Sequence, residues 1–247
     1  MKVSDTAERP EKLLARLGVA SRREVARWLA AGRLRAQGQV LRGGERIRPG
    51  DSLRLDGRPL HLPTTEAEQR VLLYNKPVGE IVTRHDPQGR STVFSALPRL
   101  HGGRWIAVGR LDISTTGLLL LTSDGDLAAH LMHPRNALER RYLVRVDGRL
   151  TATQTRALIQ GVLLEDGWAR FISCRARTSA QGRNQWYYAS LLEGRKREVR
   201  RLFEAMNLRV NRLHRVGYGP IDLPRDLVSG KWRELSEDER GRLQASV

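Results

Sequence analysis

Apolar and polar positions change their spacing several times along the chain, and each change predicts an element. Pro10 opens the helically periodic stretch EKLLARLG, which Gly18 ends. Ser21 is a good N-cap for SRREVARWLAAG, and Gly32 a good stop. Val25, Leu29 and Trp28 give that helix a buried stripe, with Arg22, Arg23 and Arg27 elsewhere on the cylinder. Short strand-like pieces follow, separated by turns at Gly38, Gly43–Gly44 and Pro49–Gly50. The polar, proline-bearing segment RPLHLPTTEAEQR, Arg58 to Arg70, then reads as a linker.

Beyond it the pattern turns strand-like. VLLYN, WIAVG, LLLLT, YLVRVDG and WYYASLLEG are short and rich in apolar, aromatic or β-branched residues. Helices intervene: DGDLAAHLMH, capped by Ser123 and stopped by Pro134; a segment capped by Thr151 or Thr153 and ending at Gly161; and RKREVRRLFEAMN. Strands and helices mixed without a regular βαβ repeat predict an α+β fold with a mainly antiparallel, mixed sheet. The expected domains are a small N-terminal α/β one over residues 10–60, a linker at 61–70 and a large one over 71–240.

Charge adds a partner. The chain of 247 residues has 44 Lys and Arg against 27 Asp and Glu, a net +17 that favours a polyanion, with nucleic acid the default. The first 60 residues alone carry 14 basic against 7 acidic side chains, so the small domain shares the bias. An anionic membrane surface is the competitor, but no amphipathic helix with an aromatic-rich apolar face supports it. The longest leucine run is four residues, far short of a span, and the N-terminus has no apolar core of signal-peptide length. With Cys174 the only cysteine, no intramolecular disulfide or Cys-rich zinc site can form. A cytoplasmic, reduced and monomeric protein is the expectation.

Two stretches carry candidate chemistry. GRLDISTTGLLLLTSDG, Gly109 to Gly125, sets Asp112 between Arg110 and a run of hydroxyl residues in front of a buried strand. Asp112 is there either a turn aspartate or a carboxylate displayed as nucleophile or general base. The second stretch, Arg195 to Arg215, holds eight basic and two acidic residues. Val199, Leu202, Phe203 and Met206 give it the stripe of a docked helix, and its arginines are too dense for solubility alone. An arginine turned inward would seek a buried carboxylate, because an unpaired buried charge costs several kcal/mol. His130 and His133 have no third ligand at suitable spacing, which points to capping of a helix C-terminus rather than a metal. His214 fits an RNA contact or a structural position. No phosphate-cradling glycine loop is present, so no nucleotide or redox cofactor is expected.

Together these pieces resemble a family. Asn75–Lys76–Pro77 with Gly79, the Gly109–Gly125 stretch, and Glu193–Gly194–Arg195 with Arg197, Val199, Arg200 and Arg201 resemble the pseudouridine synthases of the small- and large-subunit rRNA family. Pro10 to Leu60 is similar to the S4-type RNA-binding module at the N-terminus of that family. GEIVTRHDPQGRSTVF, LMHPRNALERRYLVRV, NQWYYASLLEGRKREVRRLFEAM and RVGYGPIDLPRDLVSGKWREL resemble its large-subunit branch. The resemblance implies isomerisation of a uridine in 23S rRNA, as naked RNA or a large-subunit assembly intermediate, with no cofactor and no metal. It implies Asp112 as nucleophile, Tyr142 as the residue that stacks on the base and takes part in proton abstraction, and Arg200 as the basic partner of the aspartate, with Arg195 its rival. It further implies RNA contacts at Arg16, Ser21, Arg22, Arg23, Arg33, Lys76, Arg110, Arg195 and Arg197. The long basic C-terminal extension of many relatives has no counterpart after Leu243, which bears on RNA affinity and not on chemistry. The rivals are a non-enzymatic rRNA-binding assembly factor and a synthase acting on 16S rRNA.

Overall fold

The computed structural model describes residues 6–62, 69–100, 103–177 and 183–246, and the chain divides into two compact units. The first runs to Arg70 and includes residues 98–106 and 123–125. Its helices are α1 (Pro10–Arg16) and α2 (Arg22–Ala30), followed by the strands β1 (Leu34–Ala36), β2 (Gln39–Val40), β3 (Leu53–Leu55) and β4 (Arg58–Pro59). The Ser21 hydroxyl accepts the Glu24 backbone N–H and so caps α2. Leu13, Leu14, Val25, Leu29 and Leu34 close a small core between the helices and the four-stranded sheet. Each such side chain removed from water contributes about 1.5–3 kcal/mol. Arg58 and Pro59, expected to begin the linker, instead pair with β3, because Gly57 and Asp56 turn the chain back as a hairpin. Residues 63–68 of the expected linker lie outside the described residues.

The second unit is built on a sheet of nine strands. After β4 the elements of the chain are, in order, β5 (Val71–Lys76), β6 (Ile106–Ala107), β7 (Thr115–Thr122), α3 (Gly125–Met132), β8 (Arg140–Asp147), α4 (Ala152–Gln160), the hairpin β9 (Val162–Leu164) and β10 (Gly167–Ala169), β11 (Ser173–Ala176), β12 (Asn184–Leu191), α5 (Glu198–Glu204), β13 (Arg209–Tyr218), β14 (Ile221–Asp222), β15 (Trp232–Glu234) and α6 (Glu237–Ala245). The strand order is β11-β12-β8-β13-β7-β5-β15, with β6 and β14 as short branches and β9–β10 a separate hairpin. Along this order only the β13–β7 pair is parallel, so the sheet is mixed and mainly antiparallel, as the sequence predicts.

Burial along the strands follows their place in the sheet. All six residues of β5 and seven of eight in β7 are buried, so both faces of this half are covered. Strand β8 alternates instead: Tyr142, Val144 and Val146 are buried, while Leu143 and Arg145 are not. The buried side packs against α4 and α5 through Leu158, Val199, Leu202 and Phe203.

Two expectations change here. The helix expected over 195–207 forms only over Glu198–Glu204. Arg197 adopts a left-handed conformation, and the buried Glu198 carboxylate takes the Arg195 N–H at 2.9 Å, which fixes the preceding turn outside the helix. Asn207, at φ 60°, ends the turn while Leu208 donates to the Phe203 carbonyl. The rest of the basic run is β13, a central strand. A bulge between Val210 and Arg212 breaks its alternation and hides the strand from a period count.

Candidate active site

Asp112 stands in the turn that leads into β7, with the Thr115 N–H closing back on its carbonyl at 3.0 Å. Its side chain is exposed. Three bonds fix this turn from outside. The Gly79 N–H donates to the Ile113 carbonyl at 2.9 Å. Lys76 Nζ, at the end of β5, donates to the Thr115 and Pro77 carbonyls, both at 2.9 Å. Arg200 Nη2, from α5, donates to the Ser114 hydroxyl at 3.0 Å, while its Nη1 takes the Val210 carbonyl at 2.9 Å. The sequence signalled the aspartate and the arginine, but Ser114 as their link was missed because a serine in a hydroxyl-rich turn has no distinguishing signature.

The expected direct pairing of Arg200 with Asp112 is not what the structure shows. Arg200 is buried and reaches the turn through Ser114. Its pKa is lowered from the usual arginine value, first by burial and then by Arg197, with Asp112 and Glu204 opposing. Lys76 is fully buried, and burial pulls its pKa down to about 8 against the opposing pull of Glu80 and Asp112. The Asp112 carboxylate thus lies within the field of two buried cations.

The sheet aligns a row beside this turn. Lys76 pairs with Gly117, Gly117 with Arg215, and Arg215 with Tyr142. Directly paired residues project to the same side, so Tyr142 and Arg215 are neighbours on the face that α5 covers. Gly117 sits at φ +98°, and a Cβ there would collide with the Arg215 backbone. Arg215 is almost fully buried, donates Nε to the Leu118 carbonyl at 2.7 Å and lies over the Tyr218 ring at 5.2 Å. Its Nη2 and Arg200 Nε are buried without a hydrogen-bond partner among the described residues. In the sequence Arg215 is one cation of a run, and nothing there marks it as buried.

Several residues expected at RNA have other engagements. Lys76, expected at RNA, is fully buried and donates to the Thr115 and Pro77 carbonyls. Arg16 is held by Glu8 at 2.5 Å and Arg33 by both Asp56 oxygens, at 2.8 and 2.5 Å. Ser21 is a helix cap. Arg195 donates to Glu193 at 2.6 Å and to the Trp168 carbonyl, far from the role of aspartate partner. Arg197 reaches Glu204 at 3.4 Å. Arg22, Arg23 and Arg110 are exposed. His133 accepts the Arg135 N–H through Nδ1, a cap of a short turn, and His214 Nδ1 meets the Thr116 hydroxyl at 2.8 Å. Among the described residues no three His, Cys, Asp or Glu side chains gather as a metal site, and no helix is long and apolar enough to cross a membrane.

Comparison with known proteins bears on this geometry. A family model described as RNA pseudouridylate synthase matches residues 70–205, and one described as S4 domain matches residues 11–53. The chain is 48% identical to the ribosomal large subunit pseudouridine synthase B of Pseudomonas aeruginosa, over 99% of this chain and 66% of that protein. It is 50% identical to the protein of the same name from Escherichia coli K12, over 98% of this chain and 84% of the relative. A crystal structure of a pseudouridylate synthase superposes with a TM-score of 0.67 at 25% identity, covering 95% of this chain and 99% of the other. The arrangement of Asp112, Tyr142 and Arg200 therefore lies in a chain that belongs to the RNA pseudouridylate synthase family and carries an S4 domain ahead of the synthase portion.

Proposed function

We propose that the chain converts a uridine of large-subunit rRNA to pseudouridine, with residues 71–240 supplying the chemistry and residues 10–60 binding RNA. The observation that carries this reading is the exposed Asp112 on a turn tied down by Lys76, Gly79 and Arg200, beside the row that ends in Tyr142. The large-subunit target rests on the names of the relatives that are about half identical over nearly the whole chain.

The reaction breaks the N1–C1′ bond, turns the uracil, and joins C5 to C1′. The C5 proton leaves and N1 gains one, so the product is an isomer and the electron count is unchanged. Asp112 is the nucleophile, with the buried side chains of Lys76 and Arg200 nearby. The target base must leave its stack at a cost of a few kcal/mol, which phosphate contacts and stacking on Tyr142 offset. A nucleotide lodged there would give the buried donors of Arg200 and Arg215 an acceptor.

The test is carbodiimide mapping of pseudouridine, read by primer extension on 16S and 23S rRNA. Cells lacking the protein are complemented with the wild-type chain or with Asp112→Asn. One 23S site restored by the wild type alone is expected. A site in 16S rRNA would move the target to the small subunit. Restoration by Asp112→Asn would remove the aspartate from the chemistry, and no lost site at all would favour a non-enzymatic assembly factor.

A further inference from the structure

The alternation that buries Tyr142, Val144 and Val146 sends the intervening side chains of β8 to the opposite face of the sheet. On that face β12 displays Trp186 and Tyr188, the latter 48% exposed, while their neighbours Gln185 and Tyr187 are buried on the other side. The pairing register surrounds the two rings with arginines. Trp186 pairs with Arg145, which pairs in turn with Arg212 on β13, and Tyr188 pairs with Arg175 on β11. Arg175 and Arg212 are exposed and Arg145 is half-buried. None of the three makes an ion pair among the described residues, and the carboxylate on the next row, Asp147, is taken by Arg183 at 2.7 Å.

We propose that this face is a second RNA-binding surface, a platform on which two unpaired nucleotides stack on Trp186 and Tyr188 while Arg145, Arg175 and Arg212 take their phosphates. Residues two apart on a strand are about 7 Å apart and project to one side, which presents two π-faces to successive bases. A sheet whose aromatics stack bases is a recurrent way to hold single-stranded RNA, and stacking tolerates any base. A merely solvated face has no reason to leave two large rings among cations that lack acidic partners among the described residues, whereas a polyanion with flat bases complements both. The platform lies across the sheet from Tyr142, so it holds a segment away from the target uridine. This inference rests on reading the chain as an enzyme acting on RNA.

The test uses the full chain and a fluorescein-labelled, unstructured 12-nucleotide RNA of A and C only, which offers the catalytic cleft no uridine. Fluorescence anisotropy is followed over a range of salt. Tyr188→Ala is expected to weaken binding by about fivefold or more, and Tyr188→Phe to restore it. Arg212→Gln is expected to lower the slope of log K against log salt by about 0.7, the share of one phosphate on a single strand. Arg212 is exposed, so this second variant keeps the test open if Tyr188→Ala misfolds. Binding by Tyr188→Ala within twofold of wild type, an unchanged slope for Arg212→Gln, or equal competition by a duplex of the same length would each overturn the platform. Conversion of uridine in a minimal hairpin is measured alongside. Normal conversion with unmoved oligonucleotide binding sinks the platform alone. Platform binding without conversion by the wild type sinks the enzymatic reading alone.

Discussion

The ammonium of Lys76 is buried where β5 meets the turn of Asp112, and its pKa is lowered from 10.5 to about 8, chiefly by loss of water. A neutral amine keeps two N–H groups, so it can still donate to both the Pro77 and Thr115 carbonyls. Stability should therefore depend on pH in a definite direction. Below about pH 8 the folded chain carries the buried charge and its full desolvation cost. Between about 8 and 10.5 the unfolded chain binds the proton that the folded chain has released, so stability rises with pH. The rise attributable to this residue is at most about 3 kcal/mol. Urea unfolding of wild type and Lys76→Met across this range should show the wild type gaining on the variant as pH increases. Parallel curves would mean that Lys76 titrates normally. In the sequence Lys76 reads as one more cation for RNA, because burial comes from strands that pair across the sheet and leaves no mark on the residue itself. Arg200 and Arg195 are equally alike in a charge count. What separates them is that the Arg200 side chain turns in toward Ser114, while Arg195 precedes the helix and is held by Glu193.

Strands β7 and β13 approach at Gly117 more closely than any side chain would permit. A methyl at this position would meet the Arg215 carbonyl oxygen, would lie 2.9 Å from the Arg215 nitrogen, and would sit on a backbone at φ +98°. Neither obstacle can relax by a rotamer change, because both are main chain. Gly117→Ala is therefore expected to destabilise the fold by about 2–4 kcal/mol, beyond the usual cost of a point substitution. It should also displace Arg215 from Leu118 and so disturb the row that leads to Tyr142. Thermal unfolding measures the first effect, and uridine conversion at a temperature where the variant remains folded measures the second. A melting temperature within a degree of wild type would show that the pair opens easily. The elements of strong local pattern were legible: the capped helices at Ser21 and Thr151, the leucine run of β7, the alternating β8. Strand β13 was not, because its bulge breaks the period of two and its arginines read as a surface. The parallel β13–β7 contact that aligns the row is a long-range pairing, which no local pattern announces.

Across the whole chain the net charge of +17 says that an anion is wanted but not where it lies. Position in the fold narrows the choice within the first unit. Arg16 and Arg33 already face Glu8 and Asp56. Arg22 and Arg23 are exposed in the first turn of α2, the positive end of the helix dipole, where a cation is unfavourable by about 0.3–1 kcal/mol. Two arginines at that end of a helix work against its stability, and an anionic partner that needs both the exposed N-terminus and the guanidinium groups accounts for them. Filter binding of the full chain to an rRNA fragment across a salt series tests this. Replacing Arg22 and Arg23 together by Gln should flatten the slope of log K against log salt by about 1.4–1.8, the share of two phosphates. Arg16→Gln, which removes a cation already matched by Glu8 at 2.5 Å, should leave the slope unchanged. An equal loss from both variants would mean that the Arg16 pair opens to release its cation to the RNA. No loss from the double variant would take α2 out of the interface and leave affinity to the cations of the larger unit.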